Sequence, residues 1–187
     1  PEGQFCAGLS DGMGSGVLAC TQSELVLDLF EQFLEAGFSR ETAVRMINSS
    51  IVLQPDDLVF STMDIASIDL YTGVCDFLKV GACASFLKKE NGVECIRGLG
   101  IPAGVSSQIS LEPIRLRMYD GNLLFLMTDG VIGALPEGQE EEIMKDLIWN
   151  LPQGTPAEMA ERLMEQVKAY GQAADDMTIL VAGIWRR

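Results

Sequence analysis

The sequence predicts an α/β (α+β) fold, a β-sandwich of mostly antiparallel strands flanked by helices. Three observations predict it. Short segments alternate apolar and polar residues or run continuously apolar, as strands of a half-buried or fully buried sheet do. Tight turn pairs, Thr72-Gly73 and Asn91-Gly92, join neighbouring segments, which makes those neighbours antiparallel. Amphipathic segments with helix start and stop signals stand on either side of the strand-rich middle. A chain of 187 residues, 48% of them apolar, buries one substantial core.

Residues 4–10 read as a strand. The glycines of Gly12-Met13-Gly14-Ser15-Gly16 then turn the chain, with the positive φ that glycine tolerates, into a helix over 16–36. Leu18, Leu25, Leu29, Phe33 and Ala36 form its apolar stripe, and Gly37 stops it. Ser39 caps a second helix with Ala43, Ile47 and Ile51 inward, and Pro55 ends it. Residues 58–71 alternate, with Phe60, Thr62, Ala66, Ile68 and Leu70 in one phase. Segment 74–80 runs back after Thr72-Gly73. Segments 84–88 and 93–96 form a hairpin around Glu90-Asn91-Gly92, 99–104 is a loop, and 111–118 is a strand turning at Asp120-Gly121-Asn122. The apolar run from Leu123 ends in Asp129-Gly130. A helix over 139–149 points Ile143, Leu147 and Ile148 inward. Thr155-Pro156-Ala157-Glu158 is a capping box. Its helix runs to Tyr170, with Met159, Leu163 and Val167 on the core side. Residues 177–185 form a last buried strand.

Composition narrows the chemistry. With 13 basic and 27 acidic residues the net charge is −14, which argues against a nucleic-acid partner. There is no histidine, which excludes Ser-His-Asp and Cys-His catalysis and His-ligated zinc. The five cysteines, Cys6, Cys20, Cys75, Cys83 and Cys95, form no C-x-x-C pair and read as reduced core residues of a cytoplasmic protein. No apolar run reaches the ~18 residues of a membrane span. The chain begins almost inside a strand and without Met, so it reads as a fragment of something longer.

Three acidic sites share one pattern. Asp11 closes the first strand, Asp129 closes the Leu123 run, and Asp175 and Asp176 open the last strand. If these strands are neighbours and the last runs antiparallel to the others, all three sites meet at one sheet edge. Carboxylates brought that close favour a cation among them. An all-oxygen set suits Mg²⁺ or Mn²⁺, and two such ions activate water for in-line attack on a phosphoryl group. Taken singly, each site reads as a turn residue. The glycine spacing is G-x-G-x-G, a poor dinucleotide fingerprint, and it lacks the Gly-Lys-Ser/Thr of a P-loop.

In this order Asp-Gly-Met-Gly-Ser-Gly, Thr-Asp-Gly-Val and Asp-Asp-Met-Thr resemble the metal-dependent PPM (type 2C-like) serine/threonine phosphatases, and most of all their bacterial stage II sporulation protein E branch. Phe60 through Met63, Asp64 and Ile65 to Asp69, Lys79-Val80-Gly81-Ala82 and Leu99-Gly100-Ile101-Pro102-Ala103-Gly104 resemble that branch too. The likeness spans about residues 4–185. It implies a two-metal centre holding Mn²⁺ or Mg²⁺. Asp11 would bridge both ions, Gly12 would offer its carbonyl, and Asp129 and Asp175 would be further ligands. Asp176, standing where relatives carry Asn, would sit outside them or exchange roles with Asp175. Many relatives have Gly-His where this chain has Gly81-Ala82, though the sporulation branch lacks that His as well.

The resemblance further implies that residues 1–187 are one PPM-type phosphatase domain without its N-terminal strand or strands and without one metal-ligand Asp carried there. The implied substrate is phosphoserine on a small regulatory protein such as an anti-sigma factor antagonist. A catalytically incomplete PPM-fold binding or dimerisation module is the alternative. Any membrane anchor of a longer protein would lie upstream. The helices of 16–54 occupy the place of the family's regulatory switch. Apolar Val26, Phe30 and Phe38, outside the core stripe, give that pair an expected homodimer surface.

Overall fold

The structure is a computed structural model describing residues 3–12, 17–53, 60–171 and 175–185. Met13, Gly14, Ser15, Gly16, Pro55 and the side chain of Leu18 lie outside the described residues. In chain order the elements are β1 (Gln4–Gly12), α1 (Val17–Glu35), α2 (Arg40–Val52), β2 (Ser61–Asp69), β3 (Val74–Val80), β4 (Ser85–Lys89) and β5 (Gly92–Ile96). There follow β6 (Ile114–Arg117), β7 (Leu123–Met127), α3 (Asp129–Gly133), α4 (Glu140–Asn150), α5 (Pro156–Lys168) and β8 (Ile179–Gly183).

Two four-stranded sheets form, in the orders β1-β2-β3-β6 and β5-β4-β7-β8. Every neighbouring pair is antiparallel. The sheets face each other across Ala66, Ile68, Phe77, Leu87, Leu124 and Leu126. Helices α1 and α2 cover the first sheet through Val26, Phe30, Val44, Ile47, Met63 and Ile65. Helices α4 and α5 cover the second through Phe125, Met144, Ile148, Met159 and Leu163. The result is four layers, with helices on the outside. Because β2 is covered on both faces, Met63 and Ile65 pack toward the helices while Ala66 and Ile68 pack toward the second sheet.

The expected elements form, with instructive differences. Strand β1 continues through Asp11 and Gly12, paired with Thr62 and Ser61, rather than ending at Ser10. Strand β6 is confined to four residues. Asp129-Gly130 does not close a strand in a plain turn but opens the one-turn helix α3. In α4 the buried residues are Met144 and Ile148, with Ile143 and Leu147 only partly covered. The phase of α1 differs most. Val26 and Phe30 are fully in the core, whereas Leu25 is 41% exposed. Apolar residues lie almost all round this helix, so periodicity alone does not fix which face turns inward. Phe38 is exposed as expected, but the dimer surface read through Val26 and Phe30 is lost. Cys6 and Cys20 are exposed rather than in the core, and all five thiols are free.

Local chemistry sets the helix ends. Gly37 takes φ +88° and, with Phe38 N–H donating to Phe33 O at 3.0 Å, closes α1 as glycine closes helices generally. The Thr155–Glu158 capping box forms in full. Helix α4 has no basic residue in its last turn. Instead Lys88 of β4 reaches over, its Nζ donating to Ile148 O at 2.8 Å, Trp149 O at 3.1 Å and Leu151 O at 3.2 Å. A cation on terminal carbonyls answers both the orphan acceptors and the helix dipole. Lys88→Met is therefore expected to lower stability by about 1–2 kcal/mol in urea denaturation. An unchanged midpoint would show that the cap contributes nothing.

Candidate metal centre

Asp11 is held by its own strand pairing. Its N–H donates to Thr62 Oγ1 at 3.1 Å, and its carbonyl accepts from Ser61 Oγ at 3.2 Å. Gly12 then meets α1. Its N–H donates to Ser23 Oγ at 2.7 Å, and Ser23 Oγ donates to Ala19 O at 2.9 Å. A Cβ on Gly12 would stand 2.5 Å from Ala19 O. Gly12 is needed here for the close approach of α1, not for a left-handed φ, which it does not adopt.

The other acids come from the second sheet. Thr128 follows β7 and is the N-cap residue of α3, with Asp129 first in that helix. Thr128 N–H donates to Thr178 O at 3.1 Å, Thr178 N–H donates to Thr128 Oγ1 at 3.0 Å, and Thr128 Oγ1 donates to Asp176 O at 3.2 Å. Gly130 presses against the same segment, where a Cβ would come within 2.3 Å of Asp176 O. The Asp129-Gly130 pair is thus a contact requirement. Only glycine lets the start of α3 lie against residues 175–176, and this contact sets Asp129 beside the tandem acids.

The acids meet across the two sheets, not along the edge of one. Asp11 comes from β1 in one sheet, while Asp129, Asp175 and Asp176 flank β7 and β8 in the other. Asp11 and Asp129 line one cavity, with Thr62, Asp64, Gly81 and Cys83. Asp11, Gly12, Asp175 and Asp176 line another beside α1. Burial pushes the Asp11 carboxyl up to about 6, and the charges of Asp129 and Asp175 push the same way. Like-charge crowding has that effect, and a cation relieves it. Among the described residues no three acidic or thiol side chains are gathered closely enough to hold one ion. The donor set nonetheless fits a hard divalent cation, being all oxygen with no competing histidine. One buried acceptor beside Asp11, Asp64 Oδ1, also has no protein partner.

Sequence reasoning gave no role to Ser23, Thr128, Thr178 or Asp64, although the last three stand within the motifs it singled out. The first three act by bonds to backbone, and their only sequence signal is that they lie in or near the Asp motifs. Asp64 sits inside a strand with no turn to mark it.

Comparison with known proteins follows the same lines. The family model for stage II sporulation protein E (SpoIIE) matches residues 1–185. Stage II sporulation protein E of Bacillus subtilis is 34% identical over 97% of this chain, which spans 22% of that protein. Its Priestia megaterium counterpart is 35% identical over 96% of this chain, which spans 31% of it. The solved PP2C phosphatase domain of B. subtilis SpoIIE, with a fragment of its regulatory domain, superposes with TM-score 0.88 at 34% identity. That match covers 97% of this chain and 55% of the other. The RsbU and RsbW domains of a Mycobacterium tuberculosis protein share the fold at TM-score 0.83 and 17% identity, over 96% of this chain and 51% of that one.

The Asp11 environment makes a prediction about stability without metal. Its carboxyl loses its proton near pH 3.8 when unperturbed but near 6 in the folded chain. Between those values the folded state binds more protons than the unfolded, so stability falls as pH rises through that window. In EDTA, Asp11→Asn should melt higher than wild type at pH 7 and at nearly the same temperature at pH 4. Equal melting at pH 7 would mean that Asp11 is neither desolvated by burial nor crowded by Asp129 and Asp175.

Proposed function

This chain belongs to the stage II sporulation protein E family, and from that premise we propose that it is a metal-dependent phosphoprotein phosphatase domain hydrolysing phosphoserine on a small anti-sigma factor antagonist-like protein. Because the chain spans less than a third of its curated relatives, the proposal concerns residues 1–187 as one such domain. The observation that carries it is the convergence of Asp11 with Asp129 and Asp175: the Asp11 carboxyl is pushed up first by burial and then by the charges of those two acids.

Asp11, the Gly12 carbonyl, Asp129 and Asp175 would hold the ions, with Asp176 outside them or in place of Asp175. The ions would be Mn²⁺ or Mg²⁺, two in number. A B. subtilis SpoIIE phosphatase domain presoaked with Mn supports this reading at 28% identity. Bound divalent ions would lower the pKa of water and orient the phosphoryl group. The chain's own residues do the rest. Ser23 and Thr62 fix the backbone from which Asp11 projects. Thr128, Thr178 and Gly130 hold Asp129 against residues 175–176. No protein nucleophile is required, which suits a chain without histidine.

The alternative, a PPM-fold binding module without turnover, is favoured by one observation: no three described acids are gathered on one point. Any self-association through residues 16–54 would have to use exposed apolar residues such as Leu25, Phe38, Met46 and Leu53, since Val26 and Phe30 are buried.

Manganese-dependent hydrolysis of p-nitrophenyl phosphate decides between the readings. Asp11→Asn and Asp129→Asn should each lower turnover by about a hundredfold or more, since even residues outside the ligand shell cost up to that much. Near-wild-type turnover in either variant would remove that residue from the centre. Absence of manganese-dependent turnover in the unaltered chain would favour the binding module.

A further inference from the structure

The cavity beside Asp11 has a wall with no assigned role. Asp64, in the middle of β2, is 1% exposed. It is the register partner of Lys79 on β3, and its Oδ2 accepts from Lys79 Nζ at 2.5 Å and from Ser85 Oγ. Lys79 Nζ also donates to Ser85 Oγ at 2.7 Å. Ser85 opens β4, so this trio ties the two sheets together directly beneath the acidic site. Lys79 is 5% exposed, and its stem is enclosed by Gly98, where a Cβ would fall 2.5 Å from Lys79 Cβ.

The other oxygen, Asp64 Oδ1, is buried and has no hydrogen-bond partner. An acceptor left so is costly unless water reaches it. Asp64 lines the cavity it shares with Asp11 and Asp129, whose volume is about 90 Å³. A water needs roughly 10–15 Å³ of such space and two or more polar partners, and this cavity offers both. Cys83, on the same cavity, already donates its thiol to Met127 O at 2.9 Å, so it does not supply the missing donor. A buried ion pair is also a poor device for stability alone, because apolar replacements are often neutral or stabilising. An apolar pair would close the sheets as well but would leave the cavity without this acceptor.

We propose that Asp64 is a positioning residue of the acidic centre: its Oδ1 accepts a hydrogen bond from a water carried between Asp11 and Asp129, and Lys79, fixed by Ser85, aims it. The ligand class is a water, which a hard divalent cation held by those carboxylates would polarise. That identity rests on the phosphatase reading above. Lys79 has a second effect. It brings a positive charge under a group of carboxylates to which Asp64 would otherwise add, and so lets an acceptor oxygen stand there.

The test replaces the pair by apolar residues of similar size, Asp64→Leu with Lys79→Met, which removes the acceptor without stranding a buried charge. Manganese affinity is read from the electron paramagnetic resonance of free Mn²⁺, and turnover from p-nitrophenyl phosphate. The double variant should fold but melt lower than wild type, because the buried Ser85 hydroxyl loses both its partners. Its Mn²⁺ dissociation constant should rise about tenfold or its kcat fall by about as much, with KM moving less than about threefold. Wild-type manganese affinity and kcat in a folded double variant would make the pair purely structural and overturn the proposal. A manganese-loaded crystal of the unaltered chain gives an answer that depends on no variant. An ordered water within about 3.2 Å of Asp64 Oδ1 supports the proposal, and a dry cavity contradicts it. If the chain binds Mn²⁺ but hydrolyses nothing, the phosphatase reading falls while this one is still judged by affinity and by the water. If it binds no Mn²⁺, both fall.

Discussion

Repulsion among Asp11, Asp129 and the tandem Asp175 and Asp176 is the force that the architecture holds in check. Water would separate these carboxylates. The sandwich keeps them together because each is attached to a segment anchored in a buried core. Asp11 sits on β1, paired along its whole length with β2. Asp129 follows β7, whose five residues are all buried. Asp175 and Asp176 precede β8, paired with β7 over five positions. Burying a single large apolar side chain contributes about 1.5–3 kcal/mol, so cores of this size outweigh a few crowded charges. Part of the cost shows in Asp11, whose carboxyl is pushed up first by burial and then by the charges of Asp129, Asp175 and Asp176.

The helices over the first sheet are coupled to this centre by specific contacts. Ser23 joins α1 to the Gly12 amide. On α2, buried Asn48 donates to Ser106 O at 2.9 Å and accepts from the Gly104 amide at 2.9 Å. That loop pairs back to Ser61 through Ala103, and its Pro102 lies so close to Gly81 that a Cβ there would fall 2.5 Å from Pro102 N. Gly81 in turn lines the cavity of Asp11. A shift of either helix would therefore be felt at the acidic site through short, stiff connections, Ser23 for α1 and the 103–106 loop for α2.

Local signals were legible in the sequence, and cross-chain geometry was not. The Thr155–Glu158 capping box and the Met159, Leu163, Val167 stripe are written within one helix whose polar face is unambiguous. Thr72-Gly73 and Asn91-Gly92 mark their hairpins because the turn residues themselves carry the information. The Asp motifs stand out for the same reason. The face that α1 turns inward was read only in part: Leu29 and Phe33 pack on the core as expected, but Leu25 is exposed and Val26 and Phe30 are buried, because these residues offer competing stripes and only the sheet beneath chooses between them. That Asp11 and Asp129 belong to different sheets depends on strand order, which no local pattern encodes. The Asp64–Lys79–Ser85 trio is invisible for a related reason, since its three members come from three strands and meet only when the sheets close.

The most direct test of the account is anomalous diffraction from a crystal of this chain soaked in Mn²⁺. The account predicts an anomalous peak between the sheets, with carboxylate oxygens of Asp11 and of Asp129 or Asp175 at bonding distance, about 2–2.3 Å. A peak held by other residues, or no peak with these carboxylates still apart, would contradict it.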